Sequence, residues 1–406
     1  MGLPGSVCVG REDGPIGAPR DLAGANVLVI GAGGFLGGRL AERLHVERGA
    51  RVRVLVRRVM SAARLARYPV EVVVGDILGP RAVAEAADGC DVIFNCAKGK
   101  GPDAALRRAV DVDGVRHVVE VARRAGARVV HVSTMAVYDL PRDGDLTEHA
   151  PDAQKGDAYS DAKLAGERLA LELGAHHGVP VVVIQPTVVY GPYADVHGSE
   201  IIEELRTSRM LVVEGGTGVC NAAYVDDVVT ALLLAATSDR APGERFLVSG
   251  PEYPTWLEFF ASFERMLGVQ RTVSLSEAEA LALWRRSRRT PWLLPEALRA
   301  VRESRALRGR LLATREGAAA RRLAERALRK LLVAPAHEPG PQEARDSSED
   351  ELPLVPLRPW LVRYLAIKPR VRIDKARELL GYEPVFRLDE GMRLTEHWAR
   401  CTGLLG

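Results

Sequence analysis

Tyr159 and Lys163 stand four residues apart in the stretch DAYSDAKLAGERLALEL. On a helix that spacing sets both side chains on one face. A phenol, with an unperturbed pKa of about 10, is a poor proton acceptor at neutral pH. A neighbouring ammonium favours its ionised form. A Ser or Thr hydroxyl completes such a set by hydrogen-bonding the substrate oxygen whose proton moves. Ser133 and Thr134 close the apolar run RVVHVST and offer that hydroxyl. Taken alone, Tyr-x-x-x-Lys arises often by chance on amphipathic helices. Its weight here comes from a second stretch far upstream.

That stretch is NVLVIGAGGFLGGRLAERL, Asn26 to Leu44. Val27 to Ile30 form an apolar run of strand length and β-branched character. Gly31, Gly34 and Gly37 follow, and then Phe35, Leu36, Leu40 and Leu44 fall at helical spacing. Strand, tight turn and helix are the context in which a glycine triplet cradles a pyrophosphate. The turn needs backbone angles closed to other residues, and the ligand must touch bare N–H groups. A helix starting near Gly34 aims its unpaired N–H groups and positive dipole end at the phosphates.

Further strand-like runs follow at Arg51–Arg58, Val70–Val74, Asp91–Asn95 and Arg128–Thr134, with a helix over about 104–125. Alternation at this spacing predicts an α/β fold, a Rossmann-type doubly wound parallel sheet. Ligands bind beyond the carboxyl ends of such strands. An acid at the end of the second strand selects ribose hydroxyls; here Val56, Arg57 and Arg58 occupy that place. A guanidinium pairs with a 2′-phosphate, so NADP is expected, with NAD the alternative. Lys98 and Lys100 follow the fourth strand, where they face substrate or water.

Together the segments GAGGFLG, VSTMAVY, YSDAK, VIQPTVVYGP, YVDDVV and the terminal IDKARELLGYEP resemble the extended short-chain dehydrogenase/reductase superfamily. Within it, the NAD(P)-dependent sugar epimerase/dehydratase family is the nearest match. The resemblance implies Tyr159 as acid/base and Lys163 as the residue that favours its phenolate and binds the nicotinamide ribose. It implies Thr134 as the group orienting the substrate oxygen, with Ser133 as the fallback. It further implies cofactor contacts at Gly31, Gly34, Phe35, Leu36, Gly37, Arg57, Arg58, Asp76, Ile77, Ala97, Pro186 and Val188. Substrate contacts are expected at Lys98, Tyr190, Cys220 and Asn221, with Tyr190 equally readable as packing. A homodimer built on the two long helices around the fifth strand is also implied.

Four departures narrow the activity. Met135 and Ala136 stand where sugar-nucleotide dehydratases carry an acid pair, and neither moves protons. Cys220 takes the place of an arginine that grips a nucleotide diphosphate. Asp111 replaces an asparagine at a helix kink that holds a relay water. Gln185 replaces an arginine before Pro186. The expected activity is therefore interconversion of a secondary alcohol and a ketone on a sugar-like or polyhydroxylated molecule. An epimerase with transient oxidation is the alternative, and a non-catalytic dinucleotide-binding scaffold a third reading.

A leader is expected over 1–24, a dinucleotide-binding domain over 25–190 completed by parts of 220–250, and a substrate cap over 191–406. The cap carries a helical insertion over 275–334 and a Pro- and acid-rich linker over 335–357. Between Arg285 and Lys330 there are 15 basic and 4 acidic residues. Such a face is ordinarily solvated, and an acidic partner is the functional reading. A net charge of +3 over 406 residues gives no general case for nucleic acid. Five cysteines without a CxxC pair read as reduced thiols, and no run is long and apolar enough for a membrane span. A cytoplasmic enzyme without a metal is expected.

Overall fold

The computed structural model describes residues 21–99, 103–289 and 352–405. Most of the expected leader, Lys100, residues 290–334 of the insertion and 335–351 of the linker lie outside them.

The chain begins with β1 (Asn26–Ile30), α1 (Phe35–Val46), β2 (Arg51–Val56) and β3 (Glu71–Val74). Next come α2 (Pro80–Ala87), β4 (Val92–Asn95), α3 (Ala104–Arg108), α4 (Gly114–Ala125) and β5 (Arg128–Val132). A short β6 (Asp143–Leu146) precedes α5 (Ala158–His177), β7 (Val181–Pro186) and β8 (Val188–Tyr190). Then follow α6 (Glu200–Thr207), β9 (Met210–Val213), β10 (Ala222–Tyr224), α7 (Val225–Thr237), β11 (Arg245–Val248) and α8 (Trp256–Leu267).

Seven strands form one parallel sheet in the order β11-β7-β5-β4-β1-β2-β3. The chain leaves β3 at one edge and re-enters beside β1, so the winding reverses between β1 and β4. Their carboxyl ends therefore open the crevice in which ligands of this architecture bind. The strands are almost continuously apolar because helices cover both faces. Val27, Leu28, Val29, Val92, Ile93, Phe94 and Val130 have no exposed surface.

Two element ends differ from expectation for local reasons. β2 stops at Val56, leaving Arg57 and Arg58 exposed in the following turn. β5 stops at Val132, because the Thr134 hydroxyl accepts the Ala136 N–H at 3.2 Å and caps a short 3-10 turn, Met135–Val137. The helix expected over 104–125 is interrupted by a π-helical turn, Ala109–Asp113. Gly166 of α5 presses on that turn so closely that a Cβ there would run into the Asp111 carbonyl.

The described residues divide into two compact units. One comprises 21–204, 216–270 and 365–405 and contains the sheet, β8 paired with β10, and β6 paired with β13 (Lys368–Val371). The other comprises 205–215, 271–289 and 352–364. Its β9 pairs in parallel with β12 (Thr272–Leu275), which leads into α9 (Glu277–Arg289). In the first unit α8 opens with a capping box between Thr255 and Glu258, and Phe259 and Phe263 are buried from it. Those aromatics are core, as their helical spacing predicts.

Candidate active site

The glycine turn is shaped by close approach. Gly31 has φ +85°, and a Cβ on it would lie 2.8 Å from the Cys96 carbonyl carbon and 2.9 Å from Ala97 N. A Cβ on Gly37 would lie 2.5 Å from the Gly31 carbonyl oxygen. Gly34 differs: it is exposed, it is the residue before α1, and its nearest neighbour to such a Cβ is 3.3 Å away. The first turn of α1 carries no acidic residue. Bare backbone, a free helix N-terminus and no competing carboxylate fit an anionic pyrophosphate. Phe35 and Leu36 begin α1 beside it, half-buried.

Lys163 is deeply buried, with 3% of its side chain exposed. Its ammonium donates to the Ala97 and Val132 carbonyls, each at 3.2 Å, at the carboxyl ends of β4 and β5. It also lies 3.0 Å from Asp111 Oδ1. The second Asp111 oxygen accepts the Gly99 N–H at 3.2 Å. One turn earlier on α5, Tyr159 is half-buried. Lys98 Nζ lies 5.8 Å and Arg107 Cζ 5.9 Å from its ring centroid. Thr134 is nearly buried at the adjacent turn, and Lys155 Nζ donates to the Ala136 carbonyl at 2.9 Å.

Ser133, the alternative to Thr134, is buried. It belongs to a buried group around Glu167, whose carboxyl burial pushes up while Ser133, Gln185 and Arg245 pull it back. Gln185 Nε2 donates to both Glu167 oxygens at 2.9 Å, and its Oε1 accepts the Tyr138 hydroxyl at 2.8 Å. Arg245 on β11 lies 3.3 Å from Glu167 and 2.8 Å from Asp152. The positive charge missing at Gln185 is thus supplied from the neighbouring strand.

Three residues expected to contact substrate are buried and have partners within the fold. Asn221 is fully buried, donating to the Pro369 carbonyl at 2.8 Å and accepting from Val371 N at 3.0 Å. Its φ of +49° and both polar side-chain atoms are spent fastening β13. Cys220 is fully buried beside it, which pushes its thiol well up from the ordinary range. Tyr190 packs edge-on against Tyr224 and Phe259, 1% exposed. Among the expected cofactor contacts, Asp76 Oδ1 accepts the Leu78 N–H at 3.0 Å, closing the turn after β3. Ile77 is buried against Gly114, Pro186 ends β7, and Val188 is buried in its pairing with Ala222.

Two nearby residues carried no sequence signal. Arg107 is placed by α3, and its guanidinium donates to the Gly99 carbonyl at 3.0 Å. His197 sits in a π-helical turn, Asp195–Ser199, against Phe259. Burial, with Lys98 adding to it, holds its pKa down to about 4, against the favourable pull of the Val189 backbone.

His131 lies behind Lys163 on β5, bonded through Nδ1 to Asn95 Nδ2 at 3.2 Å. Burial first, and the Lys163 charge second, push its pKa from 6.5 down to about 3. Over that interval the unfolded chain takes up a proton that the folded chain refuses. The stability His131 contributes is therefore complete above pH 6.5 and is lost as pH falls through about 3. His131→Gln is expected to flatten the decline of Tm on acidification from about pH 7 to about pH 4, followed by circular dichroism.

Residues 27–249 match the NAD dependent epimerase/dehydratase family, more than half of the chain. The chain belongs to that family. A 4-hydroxy-2-methyl-3-oxo-4-farnesyl-3,4-dihydroquinoline-1-oxide ketoreductase from Stigmatella aurantiaca is 33% identical, over 55% of this chain and 67% of its own. Sterol demethylase protein B from Methylococcus capsulatus is 30% identical, over 60% of this chain and 75% of its own. Among solved structures, an epimerase from Methanothermobacter thermautotrophicus superposes with a TM-score of 0.68 at 20% identity, covering 95% of both chains. At that identity it speaks for the fold. Enzymes of this family are NAD(P)-dependent and of the extended short-chain dehydrogenase type. Among the described residues no helix is long and apolar enough to cross a membrane, and no group of three His, Cys, Asp or Glu residues is placed to hold a metal.

Proposed function

We propose that the protein interconverts a ketone and a secondary alcohol on a weakly polar molecule, with NADP as the preferred dinucleotide. One observation carries the reading. Ala97 accepts Lys163 through its carbonyl, while its N–H side is the surface that a Cβ on Gly31 would strike. The lysine of the Tyr159 face is therefore built onto the same backbone that forms the pyrophosphate turn.

The residues divide the work simply. Gly31 to Gly37 hold the pyrophosphate, and Arg57 and Arg58 stand where a 2′-phosphate would sit. A bound nicotinamide supplies hydride to the carbonyl carbon or takes it from the alcohol carbon. Thr134 would donate a hydrogen bond from its hydroxyl to the substrate oxygen and so fix it beside Tyr159. In reduction Tyr159 gives that oxygen its proton; in oxidation it takes the proton back.

We favour a weakly polar substrate over the sugar-like one expected from sequence. Asn221 and Cys220 have no surface left to contact a nucleotide sugar. Leu106 and Val196, on the segments that carry Arg107 and His197, are instead exposed. The names of both relatives contain a farnesyl-bearing ring or a sterol. Turnover of alicyclic and aromatic ketones by the NADPH-loaded protein, beside uridine-diphosphate sugars, tests the assignment. Turnover confined to the nucleotide sugars would overturn it.

The double variant Arg57→Ala/Arg58→Ala is expected to raise KM for NADPH roughly tenfold or more and to leave KM for NADH within about twofold, since charge-assisted bonds to a phosphate are lost. Steady-state kinetics with each dinucleotide checks it. Equal effects on both would remove the 2′-phosphate role.

A further inference from the structure

The buried carboxylate of Asp111 has no part in the mechanism above, yet it lies 3.0 Å from Lys163, the lysine that the family resemblance assigns to the nicotinamide ribose. We propose that Asp111 is a positioning residue that holds Lys163 back from the dinucleotide and so sets the affinity for it. The inference rests on the assignment of Lys163 to the nicotinamide ribose.

The geometry is that of a latch. An ammonium has three protons to donate. The three oxygens around Lys163 are Ala97 O and Val132 O at 3.2 Å and Asp111 Oδ1 at 3.0 Å. Both partners of the ion pair are sealed, with 3% and 1% of their side chains exposed. Two of them accept hydrogen bonds, and Asp111 Oδ1 holds the ammonium as an ion partner, so moving toward a ribose hydroxyl draws Lys163 away from that charge. Asp111 is the strongest of the three, because it alone carries a charge in a site shielded from water. The other charged and titratable groups near the lysine do not compensate for it. Cys96 and His131 lie close enough to feel the ammonium, and both are neutral by burial. Lys98 and Arg107 lie over the Tyr159 ring and are cationic.

The fold maintains the latch from two sides. The π-helical turn brings Asp111 inward, and Gly166, three residues beyond Lys163, lets α5 come against its backbone. The Gly99 N–H holds the second carboxylate oxygen. An asparagine would keep that acceptor and the shape but not the charge.

The test is a double-mutant cycle on the full chain, read by NADPH fluorescence titration. Asp111→Asn is expected to lower Kd for NADPH about fivefold to tenfold, the ratio that about 1 to 1.4 kcal/mol produces. KM for the dinucleotide falls with it while KM for the ketone stays. In a Lys163→Met background the same substitution is expected to leave Kd unchanged, because nothing remains to release. Unchanged or weaker binding in Asp111→Asn, or an equal effect in both backgrounds, would overturn the latch. If Asp111→Asn does not fold, Asp111→Ser takes its place in the same cycle. Failure of the underlying assignment looks different: Lys163→Met would then bind NADPH as tightly as the unaltered protein.

Discussion

Tyr159→Phe is expected to lower kcat by roughly 10²- to 10⁴-fold, the range removed with a positioned acid/base group. Phenylalanine keeps the ring that lies 5.8 Å from Lys98 Nζ and 5.9 Å from Arg107 Cζ. It also keeps the half-buried helix face beside Lys163. What disappears is the hydroxyl alone, so Tm and NADPH affinity should stay near their original values. The residual rate then reports how far hydride transfer proceeds when water handles the proton. Thr134→Ala should cost less. Its hydroxyl orients the oxygen but does not take its proton, and its structural bond is a single cap to Ala136 N. Stopped-flow reduction of the best ketone, with each variant saturated by NADPH, separates these effects from binding. A Tyr159→Phe protein that turns over within about threefold of the original would remove acid/base chemistry from this side chain, since even a weak general acid contributes more.

The parallel, doubly wound character of the central sheet and the elements carrying this chemistry were legible in the sequence, although the order of the strands was not. Glycine spacing after an apolar strand marks a phosphate turn, and four-residue spacing marks a helix face. The turn and the Tyr159–Lys163 face each needed fewer than about 20 contiguous residues to read. The losses came where the partner is distant in sequence. Asn221 looked like a substrate ligand from its neighbours, but its partners are Pro369 and Val371 in a strand far down the chain. Gln185 looked like a lost charge, whereas Arg245 on the adjacent strand supplies it. Ser133 and Thr134 are interchangeable in composition, and only the structure shows that Thr134 caps the 3-10 turn. Asp111 was visible as an oddity, but its pairing with Lys163 depends on a π-helical turn that no helical periodicity announces.

Glycines 34 and 37 should fail differently, and the difference tests whether the turn holds a ligand. Gly37 is buried, and a Cβ there would stand 2.5 Å from the Gly31 carbonyl oxygen and 2.9 Å from its carbon. Those are backbone atoms of the turn, so α1 must shift outward or the turn must open. Gly37→Ala is therefore expected to lose about 1–3 kcal/mol of stability, as overpacked sites do, together with most NADPH binding. Gly34 is exposed, and its one close neighbour would be 3.3 Å from a Cβ. The protein itself tolerates a methyl there. A pyrophosphate resting on that bare backbone would not, because the methyl fills the space the phosphate must enter. Gly34→Ala should accordingly keep its Tm within a degree or two, the expected change for about 0.5 kcal/mol or less, while NADPH affinity falls roughly tenfold or more. Thermal melts and fluorescence titration on the two variants give four numbers. If Gly34→Ala binds NADPH as tightly as the original while Gly37→Ala merely melts early, the glycines serve packing alone and the pyrophosphate lies elsewhere.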